Sequence, residues 1–240
     1  MEKNDVILVA EGVSKRFGGI QAIKELNLVI KKGKIIGFIG PNGAGKTTFF
    51  NLVSRIIPID SGELKFMGKR INELKSYQIA QMGITRSFQI LNNFPRLTVF
   101  ENVRAGIISK FLDEKIEEER TRNMLELLEL SNLSKSNITE ITPVARRLVE
   151  VGRALISEPK LVLFDEIMAG FNEEETLKLI KIIKKFNELG ITFCIIGHTM
   201  KAIMSISDMI MVMHEGTKFA EGSPDEIQKN KDVHKIYLGE

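Results

Sequence analysis

The run Gly40-Pro41-Asn42-Gly43-Ala44-Gly45-Lys46-Thr47 carries the pattern G-x-x-x-x-G-K-[ST]. Residues of these types at this spacing can hold a polyphosphate. Glycines let successive backbone N–H groups curl inward without a Cβ in the way. A helix starting at the end of the run adds the positive end of its dipole. Lys46 would bridge the β- and γ-oxygens, and Thr47 would offer its hydroxyl to Mg²⁺. Far downstream, Leu161-Val162-Leu163-Phe164 runs into Asp165-Glu166. A buried strand would carry Asp165 to the carboxyl edge of a sheet, beside the loop. There Asp165 would hold Mg²⁺ through water, and Glu166 would polarise an attacking water. The phosphate loop by itself leaves kinases, GTPases, motors and transport ATPases open.

The elements that must position these groups follow from the apolar pattern. Ile35-Ile36-Gly37-Phe38-Ile39 is almost wholly apolar and ends in the loop, as a strand buried on both faces of a parallel sheet does. Leu161 to Phe164 and Ile191 to Ile196 read the same way, and Val6 to Val9 and Leu26 to Ile30 are further β-rich runs. Between the last two parallel strands lies a helix. Glu173, Glu174 and Glu175 fill its first turn, Leu177, Ile180 and Ile183 form its apolar stripe, lysines gather near its end and Gly190 stops it. From about Phe100 to Arg153 the pattern is helical and charged, with Asp113 to Arg120 as a solvated face, which suggests a helical insertion in an α/β core.

Composition narrows the class further. The 240 residues are 43% hydrophobic and 27% charged, ordinary for a globular domain and unlike a disordered tail, a fibre or a disulfide-stapled miniprotein. A net charge of +3 is too small to argue for nucleic acid. Cys194 is the one cysteine, set in an apolar run, so no intramolecular disulfide forms and a buried inert thiol is expected. The polar start Met1 to Asp5 lacks a signal-peptide apolar region, and no run approaches the roughly 18 apolar residues that cross a bilayer. The expectation is a cytoplasmic protein without direct membrane insertion.

Taken together, these motifs resemble the ATP-binding subunits of ABC transporters. Gly40 to Thr48 is similar to their Walker A motif, and Leu161 to Glu166 to Walker B with its catalytic glutamate. Gln89 in Thr85-Arg86-Ser87-Phe88-Gln89 resembles the Q-loop glutamine, which touches Mg²⁺ and the water. His198 resembles the switch histidine at the γ-phosphate, and Phe17 sits where an aromatic residue stacks on adenine. The resemblance thus implies ATP and Mg²⁺ as cofactors and Lys46, Gln89, Glu166 and His198 as catalytic residues. Phe17, Gly40, Pro41, Asn42, Gly43, Ala44, Gly45, Lys46, Thr47 and Thr48 would bind nucleotide, and Thr47, Gln89 and Asp165 the metal.

The implied fold is α/β: a P-loop ABC ATPase domain with a RecA-like parallel-sheet core, an N-terminal antiparallel β subdomain and an inserted helical subdomain. It forms one nucleotide-binding domain over 1–240, with the α/β core and β subdomain in 1–90 and 154–240, the helical subdomain in 91–153 and a helical tail in 222–240. Ser223-Pro224-Asp225-Glu226 reads as a capping box with proline in the first turn of that tail.

Arg86-Ser87-Phe88-Gln89, Phe94, Leu97 to Asn102, Ala169 to Asn172 and the ending Lys235 to Glu240 are similar to the branch that energises branched-chain amino acid import. Urea and amide importers share this pattern. The implied partners are transmembrane permease subunits, reached through the Gln89 to Asn102 region with Phe94, Leu97 and Phe100 lining the groove. The implied location is the inner face of the cell membrane. Non-transport ABC ATPases acting on DNA or ribosomes usually fuse two nucleotide domains or carry a long coiled coil, and 240 residues hold neither.

One stretch departs from the family pattern. Where a Leu-Ser-Gly-Gly-Gln signature is expected, this chain has Ile141-Thr142-Pro143-Val144-Ala145. Pro143 has no N–H, and Val144 places a β-branched side chain where close approach is needed. As a helix start the stretch is sound, with Thr142 as cap and Pro143 in the first turn. In the head-to-tail ABC dimer each ATP lies between one subunit's Walker motifs and the other's signature. The expectation is therefore an asymmetric heterodimer with a second, different ATPase subunit. The alternative is a regulatory subunit that binds ATP with negligible turnover.

Overall fold

The computed structural model describes residues 5–87, 93–107, 113–197 and 199–238. Strands β1 (Val6–Phe17) and β2 (Ile20–Lys31) form a hairpin turned by Gly18-Gly19. β1 also pairs with β4 (Ser61–Phe66), which pairs with β5 (Lys69–Arg70), giving an antiparallel sheet in the order β2-β1-β4-β5. The second sheet is built on β3 (Ile35–Ile39), every residue of which is buried. Its order is β10-β9-β3-β8-β7-β6, with β6 at Ile84–Arg86, β7 at Leu161–Asp165, β8 at Thr192–Ile196, β9 at Met209–His214 and β10 at Thr217–Gly222. β9, β3, β8, β7 and β6 run parallel, and β10 returns antiparallel.

Alternation along these parallel strands divides the core. Val162 and Phe164 of β7 and Phe193 and Ile195 of β8 face one apolar cluster, while Leu161, Leu163, Cys194 and Ile196 face another. The second cluster fills the space between the two sheets around α1 (Lys46–Val53), where Phe38 stacks on Phe49 at 5.7 Å and meets Phe50 edge-on at 5.3 Å. The first cluster is covered by helices. These include α3 (Val99–Arg104), α4 (Glu114–Leu127), α5 (Pro143–Leu155), α6 (Glu173–Glu188) and α7 (Met200–Ile206), whereas α2 (Ser76–Met82) packs on the second.

The helix ends follow the sequence closely. Asn172 and Glu175 form a reciprocal cap at the start of α6, and Ser223 and Glu226 do the same for α8 (Pro224–Lys229), which leads into α9 (Lys231–Leu238). The apolar face of α6 differs from the expected stripe. It runs through Leu179, Ile180 and Ile183, and Leu177 stands 52% exposed. A helix turns about 100° per residue, which puts Leu177 on the flank of that face. Among the described residues no helix is long and apolar enough to cross a membrane.

Candidate active site

The loop between β3 and α1 is shaped by contacts only glycine permits. Gly40 has φ 149°, and a Cβ there would lie 2.1 Å from the Met213 carbonyl oxygen of β9. Gly45 has φ 98°, and a Cβ would meet the Ala22 carbonyl oxygen of β2 at 2.7 Å. The loop is thus wedged between the two sheets. Gly45 also begins α1 without a side-chain cap, and no acidic residue occupies the first turn. The leading N–H groups of α1 are left for an anion.

Lys46 is 6% exposed, and its ammonium donates to the carbonyls of Gly40 (2.7 Å) and Pro41 (2.9 Å). Burial lowers the Lys46 pKa, and the nearby Glu166 and Asp165 carboxylates oppose that shift. Thr47 Oγ1 donates to Asp165 Oδ1 at 3.3 Å. Asn42 through Thr48 and Glu166 together line an open cleft of ≈ 320 Å³.

Asp165 ends β7 with no solvent exposure. Its Oδ2 accepts from Arg86 Nη2 at 3.1 Å, and its backbone N–H donates to Ser87 Oγ at 3.2 Å. Burial raises the Asp165 pKa, and the Arg86 and Thr47 partners pull it down. Glu166 follows with φ 54°, its N–H held by the Ile196 carbonyl of β8 at 3.0 Å. A left-handed backbone at a residue with a full side chain costs energy and recurs at functional sites.

The structure thus brings Lys46, Thr47 and Glu166 to one cleft, with the buried Asp165 bonded to Thr47. Phe17 ends β1 48% exposed, with Lys15 Nζ at 5.6 Å from its ring centroid. It does not line the cleft, although β2 of the same hairpin meets the loop at Ala22. Gln89 and His198 lie outside the described residues. Sequence reasoning missed Arg86, Ser87 and Asn51 as members of the site. A cation ending the strand just before the Gln89 segment was the available signal.

These donors suit a nucleotide with Mg²⁺. The cation takes oxygen ligands and commonly uses one or two carboxylates plus substrate phosphates and water. Here a buried carboxylate points one oxygen at a hydroxyl at the head of a phosphate-binding helix. Among the described residues no cluster of three or more His, Cys, Asp or Glu converges, and such a site does not need one. When bound, the cation neutralises phosphate charge. Lys46 and the α1 N–H groups offer donors at the cleft, and Glu166 offers a carboxylate there.

At the start of α5, Thr142 Oγ1 accepts the Ala145 N–H at 3.2 Å, and the Thr142 carbonyl accepts the Arg146 N–H at 3.0 Å. Pro143 has no N–H to offer in this first turn, and the Ala145 and Arg146 N–H groups are taken by Thr142.

Residues 23–169 match the ABC transporter family. The chain belongs to that family. A second match, to the branched-chain amino acid ATP-binding cassette transporter family, spans residues 217–240 of this ABC protein. It is 35% identical over 253 aligned residues to the high-affinity branched-chain amino acid transport ATP-binding protein LivG of Salmonella typhimurium, covering 98% of each chain. It is 33% identical over 250 aligned residues to the corresponding BraF protein of Pseudomonas aeruginosa, again covering 98% of each. A crystal structure of a nucleotide-free ATP-binding cassette from an ABC transporter superimposes with a TM-score of 0.88 at 29% identity, over 98% of this chain and all of that one. The ABC cassette described here is accordingly a P-loop ATPase of the transport type, with ATP and Mg²⁺ as its cofactors.

Proposed function

We propose that this ATPase energises the import of branched-chain amino acids, docked on transmembrane permease subunits at the inner face of the cell membrane. The observation that carries the proposal is that Lys46, Thr47 and Glu166 line one cleft, with Thr47 bonded to the buried Asp165. The names of the LivG and BraF relatives and the family match of the tail support the choice of cargo. Lys46 and the loop N–H groups hold the β- and γ-phosphates, Thr47 and Asp165 the cation, and Phe17 the adenine. Glu166 takes a proton from the attacking water, with Gln89 and His198 completing the site. Residues 91–153 act as the helical subdomain, whose Phe94, Leu97 and Phe100 meet the permease. Asn102 supports this segment: its side chain bonds the backbone of Phe94, Leu97 and Thr98.

The working dimer in this reading pairs the chain with a different ATPase subunit. The capped, proline-started turn at Thr142 to Ala145 favours it, because little backbone there is open to a γ-phosphate. The same observation favours a second reading, an ATP-binding regulatory subunit with negligible turnover, which an intact Glu166 opposes. Size-exclusion of Glu166→Gln protein with ATP and Mg²⁺ tests the pairing. A monomer that still binds ATP supports the heterodimer, and an ATP-dependent homodimer refutes it. Turnover measured with and without the second ATPase subunit then separates the two readings. Transport of leucine, isoleucine and valine by the reconstituted importer tests the cargo.

A further inference from the structure

We propose that Arg86 is a positioning residue for the divalent cation: its guanidinium ties α1 to Asp165 and aims one Asp165 oxygen at Thr47. The inference rests on the reading of Thr47 and Asp165 as Mg²⁺ ligands. Both partners of the Arg86–Asp165 pair are buried, with side chains 6% and 0% exposed. A buried carboxylate is held in place by the charge or donors that meet it. Arg86 supplies that charge from one side only. Nη2 takes Oδ2 at 3.1 Å, and Oδ1 remains turned to the Thr47 hydroxyl at 3.3 Å.

The other arm of the guanidinium reaches the same helix that carries Thr47. Nη1 donates to Asn51 Oδ1 at 2.5 Å and to Ser54 Oγ at 3.2 Å. Thr47 and Asn51 are four residues apart and share a face of α1. Arg86 therefore fixes the distance between the two ligand-bearing elements through Asn51 and Ser54, past the first turn of α1. Ser87, the next residue, fixes the Asp165 main chain as well. A planar fork with donors in set directions can serve Asp165 and Asn51 together, and a lysine ammonium cannot reproduce that geometry.

The test measures binding of a fluorescent ATP analogue to the full chain, first in EDTA and then with Mg²⁺ titrated in. In Arg86→Lys the Mg²⁺ half-saturation should rise by about 10- to 100-fold, the usual effect of losing a partner that orients a metal ligand. Affinity in EDTA should stay at the wild-type level. Asn51→Ala, which removes one of the partners Nη1 has on α1 and leaves Asp165 paired, should shift the Mg²⁺ half-saturation in the same direction by less. It carries the test if Arg86→Lys does not fold. Wild-type half-saturation in both variants, or equal losses with and without Mg²⁺, would overturn the role of Arg86. A wild-type protein whose nucleotide binding ignores Mg²⁺ would instead overturn the assignment of Thr47 and Asp165 as ligands.

Discussion

The Lys46 ammonium lies 2.7 Å from the Gly40 carbonyl oxygen and donates to it, closing the phosphate loop on itself. The loop is thereby held in a shape ready for phosphate, with the cation parked on backbone oxygens until a stronger partner arrives. Lys46→Met is expected to weaken ATP binding by roughly 100-fold, the scale of one charge-assisted hydrogen bond of about 3 kcal/mol. Calorimetric titration measures this, and a variant with wild-type affinity would remove Lys46 from the phosphate site.

Glu166→Gln keeps the shape of the side chain and removes its capacity to accept a proton. Hydrolysis should fall by at least about 100-fold, the lower range for loss of a general base, while ATP affinity is retained. A variant that turns over ATP at half the wild-type rate would show that another group activates the water.

Gly40→Ala forces a Cβ to within 2.1 Å of the Met213 carbonyl at a φ of 149°. The backbone must shift, so a loss of about 2 kcal/mol or more is expected. Denaturant unfolding should show it as a lower midpoint with unchanged slope. An unaltered midpoint would mean that the β9 edge yields freely at this point.

Cys194 is fully buried on β8, and burial pushes its thiol pKa far above the usual range. The folded protein should therefore resist a thiol-specific reagent at neutral pH and react in full once unfolded in denaturant. Stoichiometric labelling of the native chain within minutes would contradict the packing of the inter-sheet cluster.

Replacing Pro143 and Val144 together by glycine opens backbone N–H groups at the start of α5. In a Glu166→Gln background this double change is expected to promote an ATP-dependent homodimer that the Glu166→Gln protein alone does not form. Light scattering with and without ATP reads the outcome. A monomer in both cases, with the helix content preserved by circular dichroism, would place the obstacle to self-pairing elsewhere.

The chemistry-bearing segments were the most legible part of the sequence, because buried parallel strands are continuous apolar runs and helix caps use few residue types. The run Ile35 to Ile39 is β3 residue for residue, and the caps at Thr142 and Ser223 fall where the sequence places them. β1 and β2 show only short β-rich runs in the sequence, although each spans 12 residues. Their pairing shifts register between Ala10 and Val13 and again between Val13 and Lys15, and such irregularities break the two-residue period on which strand reading relies. β10 was hidden because no residue from Thr217 to Gly222 is buried. Arg86 was invisible as a site member for a different reason. Its role depends on Asn51 and Asp165, 35 and 79 positions away, and no local pattern encodes that meeting.

The turn that opens α5 sets two kinds of selection against each other. Thr142 as cap and proline in the first turn are both good choices for a stable helix, and a change from threonine to alanine at such a cap costs about 1 kcal/mol. Substitutions that would restore a glycine-rich grip on phosphate would exchange that stability for about 1 kcal/mol of helix penalty per glycine. A lineage carrying this turn can therefore keep it by folding alone, and in the proposed pairing a partner that supplies the phosphate grip relieves the pressure to build one here. Dependence on a dissimilar companion would then be maintained as a ratchet, easy to enter and costly in stability to leave.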